Sequence, residues 1–379
     1  MKVLFTLDTL ANAGTEKSTL DIISHFSRDV EVKVIHFFPG FDLKAEYEKA
    51  GIPLRYVGLS GKRSFLKGTR SLVKIIREEK PDLIVSSIMR ANFFTRFASL
   101  ITKTPVIGTF VNDSYGDIRI AEMRKKKQYA GFRFFWLLDK RTSGIPVYWI
   151  SNAISIAESN ARALGIKEKK IKVIYRGRET AVFPQWQPLP ASTHFRLVFV
   201  GRLLERKGLA ELFEALAIVR KKHKNISLDI YGEGGFRKKL ETMSEQLQLQ
   251  DSVSFHGKVL NGWKKLYEAD CFVFPSWYEG FSGSLVEAMM AGIPIIASDI
   301  PMNMEAVSSD TALIYKVKDV NELADRIDKM ITSYSAMIEM GKRARQEAMK
   351  RFDINVISHE YESFLKAVAN KTVNTETLI

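Results

Sequence analysis

Short apolar runs alternate with amphipathic segments along nearly the whole chain, over links only a few residues long. In the first half the pattern predicts strands at 2–7, 32–38, 54–57, 83–86 and 106–111, with helices at 15–26, 43–50, 64–79 and 92–100 between them. Strands separated by helices and short links run parallel, and runs apolar on both sides must be covered on both faces. The expectation is therefore a doubly wound parallel sheet. Strands at 147–150 and 171–174 finish it. The rhythm stops at Phe183-Pro184-Gln185-Trp186-Gln187-Pro188-Leu189-Pro190, a proline-rich and hence stiff, extended connector. It then restarts, with strands at 196–200, 227–231, 253–255, 271–274, 295–297 and 312–315, and closes on helices at 320–332, 335–351 and 355–369. A chain of 379 residues is long for one core. Two Rossmann-like α/β domains are expected, 1–184 and 185–354, with the helix near 355–370 packing back on the first.

Compartment and charge narrow the classes. Asp8 interrupts the apolar start, so no signal peptide is expected, and no window approaches the roughly 18 apolar residues of a membrane span. One cysteine, Cys271, falls in a buried strand, which fits a reducing compartment. These features point to a soluble cytoplasmic protein or a peripheral one, and the localisation expected is cytoplasmic, peripheral on the inner face of the cell membrane. The formal net charge of +14 lies in the first half, most densely over residues 61–141. There Arg124-Lys125-Lys126-Lys127 is followed by Phe132, Phe134, Phe135, Trp136, Leu137 and Leu138, then Lys140-Arg141. Cations beside aromatics suit an anionic membrane surface. The alternative is a helix whose aromatics pack on its own domain, and a non-catalytic membrane- or nucleic-acid-binding protein is the reading from another class.

Two strand–loop–helix junctions of the second half carry the chemistry. In Gly201-Arg202-Leu203-Leu204-Glu205-Arg206-Lys207-Gly208, Arg202 and Lys207 stand between a strand end and a helix start, a receptor for a diphosphate. In residues 274–294, FPSWYEGFSGSLVEAMMAGIP, a glycine-bearing loop leads from a buried strand into a helix at 284–291 closed by Gly292. Glu279 lies on that loop and Glu287 inside the helix, so the two carboxylates should meet different parts of one ligand rather than act as a glycosidase-type pair.

GRLLERKG, YGEGGFRKKLE, EGFS with a second glutamate eight positions on, and EAMMAGIPIIASD together resemble the retaining nucleotide-sugar glycosyltransferases of family four, the glycosyl transferases of group one. The resemblance covers nearly the whole chain. It implies the GT-B fold: two Rossmann-like doubly wound parallel-sheet domains facing across a cleft, the first binding acceptor and the second donor. Carried over to matching positions, Arg202 and Lys207 bind the donor diphosphate. Glu287 holds the ribose hydroxyls, and Glu279 with the amides of Gly280, Phe281 and Ser282 contacts the donor sugar. Gly14, Gly201, Gly232, Gly257, Lys258, Val259, Gly283, Ser284 and Leu285 complete the donor-binding set, and Glu279, Arg202 and Lys207 carry the catalytic role. The donor implied is a UDP-sugar, with a GDP-sugar as second choice. No D-x-D occurs, so no metal is expected. The acceptor expected is a lipid-linked glycan of surface polysaccharide or lipopolysaccharide assembly, with no nucleic acid partner. A soluble acceptor or a sugar-nucleotide epimerase is the alternative. The first half departs from the family pattern: one glycine rather than two precedes Glu16, Thr109-Phe110-Val111-Asn112-Asp113 stands where many members carry a histidine, and Arg176-Gly177 replaces Asn-Gly. Asn112 or Asp113 could take over acceptor contact.

Overall fold

The computed structural model describes residues 1–60, 64–190, 194–374, 376 and 378–379. Lys62 and Arg63 of the basic stretch lie outside these. The chain divides into two units, 1–177 with 354–379, and 178–353.

In the first unit the strands are β1 (Lys2–Leu7), β2 (Glu31–His36), β3 (Leu54–Tyr56), β4 (Leu83–Ser86), β5 (Val106–Phe110), β6 (Tyr148–Ser151) and β7 (Ile171–Val173). They form one parallel sheet in the order β3-β2-β1-β4-β5-β6-β7. Successive residues of β1 serve opposite faces. Val3, Phe5 and Leu7 pack with Leu20 and Ile23 of the helix Gly14–Ile23 and with Ile357, Tyr361 and Leu365 of the helix Ile354–Asn370. Leu4 packs with Leu72, Ile76 and Phe94 from the helices Ser64–Glu79 and Met89–Thr102. Coverage on both faces is why these strands read as continuous apolar runs.

The second unit repeats the scheme with β8 (Phe195–Val200), β9 (Ile226–Tyr231), β10 (Val253–Gly257), β11 (Cys271–Phe274), β12 (Ile295–Ser298) and β13 (Leu313–Tyr315). All are parallel, in the order β10-β9-β8-β11-β12-β13. Strand order therefore reverses between β1 and β4 and again between β8 and β11. At such reversals the loops leaving the strands splay apart and open a crevice for a ligand.

The division falls a few residues before the boundary placed at 184/185 in the sequence. Arg178 is hydrogen-bonded to Glu287, Thr180 Oγ1 donates to Asp353 at 2.7 Å, and Phe183 packs on Trp263, all within the second unit. The proline-rich segment is no free connector either, because Trp186 is pinned through its backbone N–H to Ala291 O and through its ring N–H to Ala269 O. Besides the short helix Pro301–Met304, the helix Ile154–Leu164 has no counterpart in the sequence reading. Its inward face carries Ala157, Asn160 and Ala161, which dilute the apolar periodicity. Residues 116–144 form two helices, Asp117–Lys125 and Tyr129–Thr142.

Glu79, at the end of its helix, ties that helix to the sheet through Lys2 of β1 at 2.8 Å and through Lys33 of β2. Those hydrogen bonds hold its carboxyl down to about 2. The carboxylate therefore stabilises the fold fully above the unfolded value of about 4.3 and loses that contribution as pH falls through about 2. Glu79→Gln is expected to lower the melting temperature at neutral pH, with the gap from the parent closing between pH 4 and 2. A gap of constant size across that window would contradict the assignment.

Candidate functional site

The loop leaving β8 turns through a short 3-10 segment, Glu205–Lys207, into the helix Leu209–Val219. Gly208 caps that helix at φ +69°, and a Cβ there would lie 2.0 Å from the carbonyl oxygen of Pro275. Only glycine serves both the left-handed turn and the close approach. Gly208→Ala is expected to cost more than about 2 kcal/mol of stability, read as a shift in the urea midpoint; an unchanged midpoint would contradict this packing.

Because β8 pairs with β11, the loop leaving β11 lies alongside. Trp277 N–H donates to Arg206 O at 2.8 Å, and the Arg206 guanidinium sits 5.0 Å from the Tyr278 ring centroid. Lys207 reaches across and forms an ion pair with Glu279, the two side chains 10% and 12% exposed. The sequence reading assigned these residues to different parts of a ligand; the structure joins them. Arg202 is exposed, and its side chain has no partner among the described residues.

The helix Gly283–Ala291 starts where this loop ends. Glu287 accepts a hydrogen bond from Arg178 Nε at 2.8 Å, with side chains 13% and 10% exposed. A Cβ on Gly283 would lie 2.0 Å from Arg178 Nη2, so the guanidinium lies across the first residue of the helix. Arg178 is the functional candidate that the sequence reading missed. Its only signal was a pair of arginines about Gly177 in place of Asn-Gly.

The remaining second-half positions sort by depth. Gly201 N–H donates to Tyr231 O and Gly232 N–H to Gly257 O, which sets Gly201, Gly232 and Gly257 together at the C-terminal edge of β8, β9 and β10. Lys258 is exposed and Val259 half-buried just beyond. Gly280, Ser282, Gly283 and Ser284 are half-buried, and the Ser282 and Ser284 hydroxyls lie 3.2 Å apart. Phe281 and Leu285 are core residues, Phe281 stacking edge-on with Phe352, so only their backbone can face a ligand.

In the first unit Gly14 opens the helix after β1, and Arg176 Nη1 lies 2.8 Å from where its Cβ would stand. Asp8 and Glu16 are buried nearby, and burial pushes both carboxyls up. Asp8 receives hydrogen bonds from Arg90 Nε at 3.0 Å and Ala91 N–H at 2.8 Å. Asn112 and Asp113 are committed to the helix Ile154–Leu164: Asn160 Nδ2 donates to Asn112 O, and Ser159 Oγ to Asp113 Oδ1 at 2.6 Å. The aromatics of the helix Tyr129–Thr142 divide. Phe132 and Trp136 pack with Tyr115, whereas Phe134, Phe135 and Leu137 are exposed. Among the described residues no helix is long and apolar enough to cross a membrane, and no three His, Cys, Asp or Glu side chains form a metal-binding group.

Two family models match successive parts of the chain. Residues 13–182 match Glycosyltransferase Family 4 and residues 185–348 match Glycosyl transferases group 1. The chain is a group 1 glycosyltransferase. Among curated relatives of this glycosyltransferase, the capsular polysaccharide biosynthesis glycosyltransferase CapM of Staphylococcus aureus is 25% identical over 343 residues, covering 81% of this chain and 83% of the relative. The N,N'-diacetylbacillosaminyl-diphospho-undecaprenol alpha-1,3-N-acetylgalactosaminyltransferase of Campylobacter jejuni is 24% identical over 322 residues, covering 78% and 80%. Among solved structures, Anabaena Alr3699/HepE in complex with UDP-glucose superposes with a TM-score of 0.82 at 22% identity, over 97% of this chain and 100% of that one. The two parallel-sheet units, 178–353 and 1–177 with 354–379, are those of the GT-B fold.

Proposed function

We propose that this glycosyltransferase moves a sugar, with retention of anomeric configuration, from a nucleotide-sugar donor held by the second unit to a lipid-linked glycan acceptor bound by the first. The observation that carries the donor half is the grouping at the β8–β11 reversal: Lys207 paired with Glu279, Arg202 exposed beside them, and the start of the helix Gly283–Ala291. Transfer leaves negative charge on a nucleoside diphosphate. Two cations and the N-terminal amides of that helix are the groups that stabilise such charge as it develops, without a metal ion. Glu279 then serves twice, neutralising Lys207 while the site is empty and accepting sugar hydroxyls when it is filled. Glu287 accepts the ribose hydroxyls, and Arg178 holds it in place.

UDP as the carrier is supported by the UDP-glucose complex of Anabaena HepE, and a lipid-linked acceptor by the diphospho-undecaprenol substrate named for the Campylobacter relative. The exposed Phe134, Phe135 and Leu137 beside the exposed Arg124 to Lys127, Lys140 and Arg141 support docking on the anionic inner face of the membrane. A thermal-shift series with UDP- and GDP-sugars tests the donor, since a ligand that binds only the folded state raises its stability. A UDP-sugar is expected to raise the melting temperature most, and no shift with any nucleotide sugar would overturn the donor assignment. Flotation with anionic and neutral vesicles at low salt tests the membrane face, where equal binding to both would count against it.

A further inference from the structure

The loop leaving β9, Gly232-Glu233-Gly234-Gly235, is fixed on both sides of its one charged residue. Gly232 adopts φ +154°, and a Cβ on it would stand 1.8 Å from Gly201 O; a Cβ on Gly234 would stand 2.2 Å from Leu203 O. Between them Glu233 O accepts the Leu203 N–H at 2.9 Å, so the backbone of Glu233 lies against the loop leaving β8. The side chain is held as well. Arg237 Nη1 pairs with Glu233 Oε1, and Arg237 Nε is in turn held by Glu241 at 2.7 Å. The Glu233 side chain is nevertheless 45% exposed, and its Oε2 has no partner among the described residues. This carboxylate is fixed without being closed off.

Its position gives it a use. A Cβ on Gly257, at the end of β10, would stand 3.2 Å from Glu233 Oε1, so the carboxylate overlies a place with no side chain. The register shifts there, Phe255 lying opposite Ile230 and Gly257 opposite Tyr231, which marks a bulge. Bulges re-aim strand ends and are common beside active sites. Gly201, Gly232 and Gly257 therefore stand at the ends of β8, β9 and β10 as a floor without side chains, bordered by Glu233. An ordinary surface ion pair does not account for this. Glu233 precedes the helix Arg237–Gln246 rather than lying on it, and Arg237 already has a carboxylate one turn on in Glu241.

An ionised carboxylate only accepts hydrogen bonds, so its partner must bring an N–H or O–H. On a nucleoside diphosphate sugar the phosphates bring none. The sugar and ribose hydroxyls are the partners proposed above for Glu279 and Glu287, on the β11 side of the reversal. Strands lie about 4.8 Å apart, so the end of β10 is about 10 Å along the edge from that of β8, on the side away from β11. A nucleoside held by its diphosphate at the reversal spans that distance with its base, and a flat ring suits a floor of glycines. Uracil and guanine carry a ring N–H on their pairing edge, N3–H and N1–H. Cytosine N3 and adenine N1 present a lone pair there instead.

We infer that the Glu233 carboxylate accepts the ring N–H of the donor's base, which makes Glu233 a residue that selects uracil or guanine over cytosine or adenine. The inference rests on the reading of the second unit as a nucleotide-sugar site. Calorimetric titration of the full chain tests it, with UDP against 3-methyl-UDP in one arm and GDP against 1-methyl-GDP in the other, because each methyl removes that one donor. The parent nucleotide is expected to bind about tenfold or more tighter than its methylated form, the loss of one hydrogen bond to a charged group, and the arm that shows this names the base. Glu233→Ala is expected to shrink that preference several-fold, and to narrow the gap between UDP and CDP, which differ little in bulk. Glu233→Gln keeps an oxygen that accepts an N–H and should keep part of the preference. The side chain is exposed and the backbone bond to Leu203 survives in both variants, so both should melt as the parent does. Equal affinity for parent and methylated nucleotides, or a preference that Glu233→Ala leaves unchanged, overturns the inference and leaves the donor site standing. Failure of both UDP and GDP to bind removes the donor reading and this inference with it.

Discussion

Lys207→Met is expected to lower kcat/KM by about a hundredfold and to destabilise the protein, and adding Glu279→Gln is expected to restore the stability but not the turnover. The two effects have separate causes. Lys207 and Glu279 are nearly buried and paired. Removing one partner leaves a buried charge without compensation, which costs about 3–5 kcal/mol at full burial, whereas replacing both by neutral groups of similar size comes close to balance. On the proposed function, turnover answers to the lost contact with the leaving diphosphate. A hydrogen bond to a charged group is worth about 1.5–3 kcal/mol, so its loss in the transition state lowers the rate between about tenfold and a hundredfold or more. Urea midpoints and initial rates on the two single variants and the double variant separate the two. If the double variant regained turnover along with stability, Lys207 would be only a structural partner of Glu279.

The fold was legible because its strands are covered on both faces. Runs such as Leu83–Ser86 and Cys271–Phe274 are buried at every position and apolar at nearly all, and the links between elements are too short for anything but parallel crossovers. The helix Ile154–Leu164 escaped because between Ile156 and Leu164 its buried face carries Ala157, Asn160, whose amide bonds to Asn112 O, and Ala161, which weaken the apolar periodicity. Lys207, Glu279 and Glu287 could be picked out one at a time from their places at strand ends and in a helix start. Their partners could not. Lys207 meets Glu279 only because β8 lies beside β11 and the two loops are stitched by Trp277 and Arg206. The destination of Arg178 is set by a helix far along the chain. Local pattern encodes which residue ends a strand, and tertiary register decides what that residue touches.

Arg178→Ala is expected to raise the KM for the donor by about tenfold or more with a smaller change in kcat, and to be non-additive with Glu287→Gln. Arg178 Nε engages Glu287 Oε1 at 2.8 Å, and on the proposed function Oε2 accepts the ribose hydroxyls. A carboxylate so anchored offers that oxygen in a fixed direction. Without the guanidinium it is both mobile and an uncompensated charge in a site that is nearly closed to water. Ribose contacts are made equally in the ground and transition states, so their loss should appear mainly in KM. If Arg178 acts through Glu287, each single variant removes the same interaction and the double variant is little worse than the poorer single. Residues coupled in this way commonly show interaction energies of about 0.5–3 kcal/mol. Arg178→Lys keeps the charge but loses the planar fork, and should recover only part of the affinity. Gly283→Ala supplies an independent check, because its Cβ would fall 2.0 Å from Arg178 Nη2 and must displace the guanidinium while leaving both charges in the protein. It is expected to raise the donor KM in the same direction as Arg178→Ala. A normal KM in both Gly283→Ala and Arg178→Ala, with Glu287→Gln impaired, would place the ribose contact on Glu287 alone; a normal KM in all three would remove the ribose assignment.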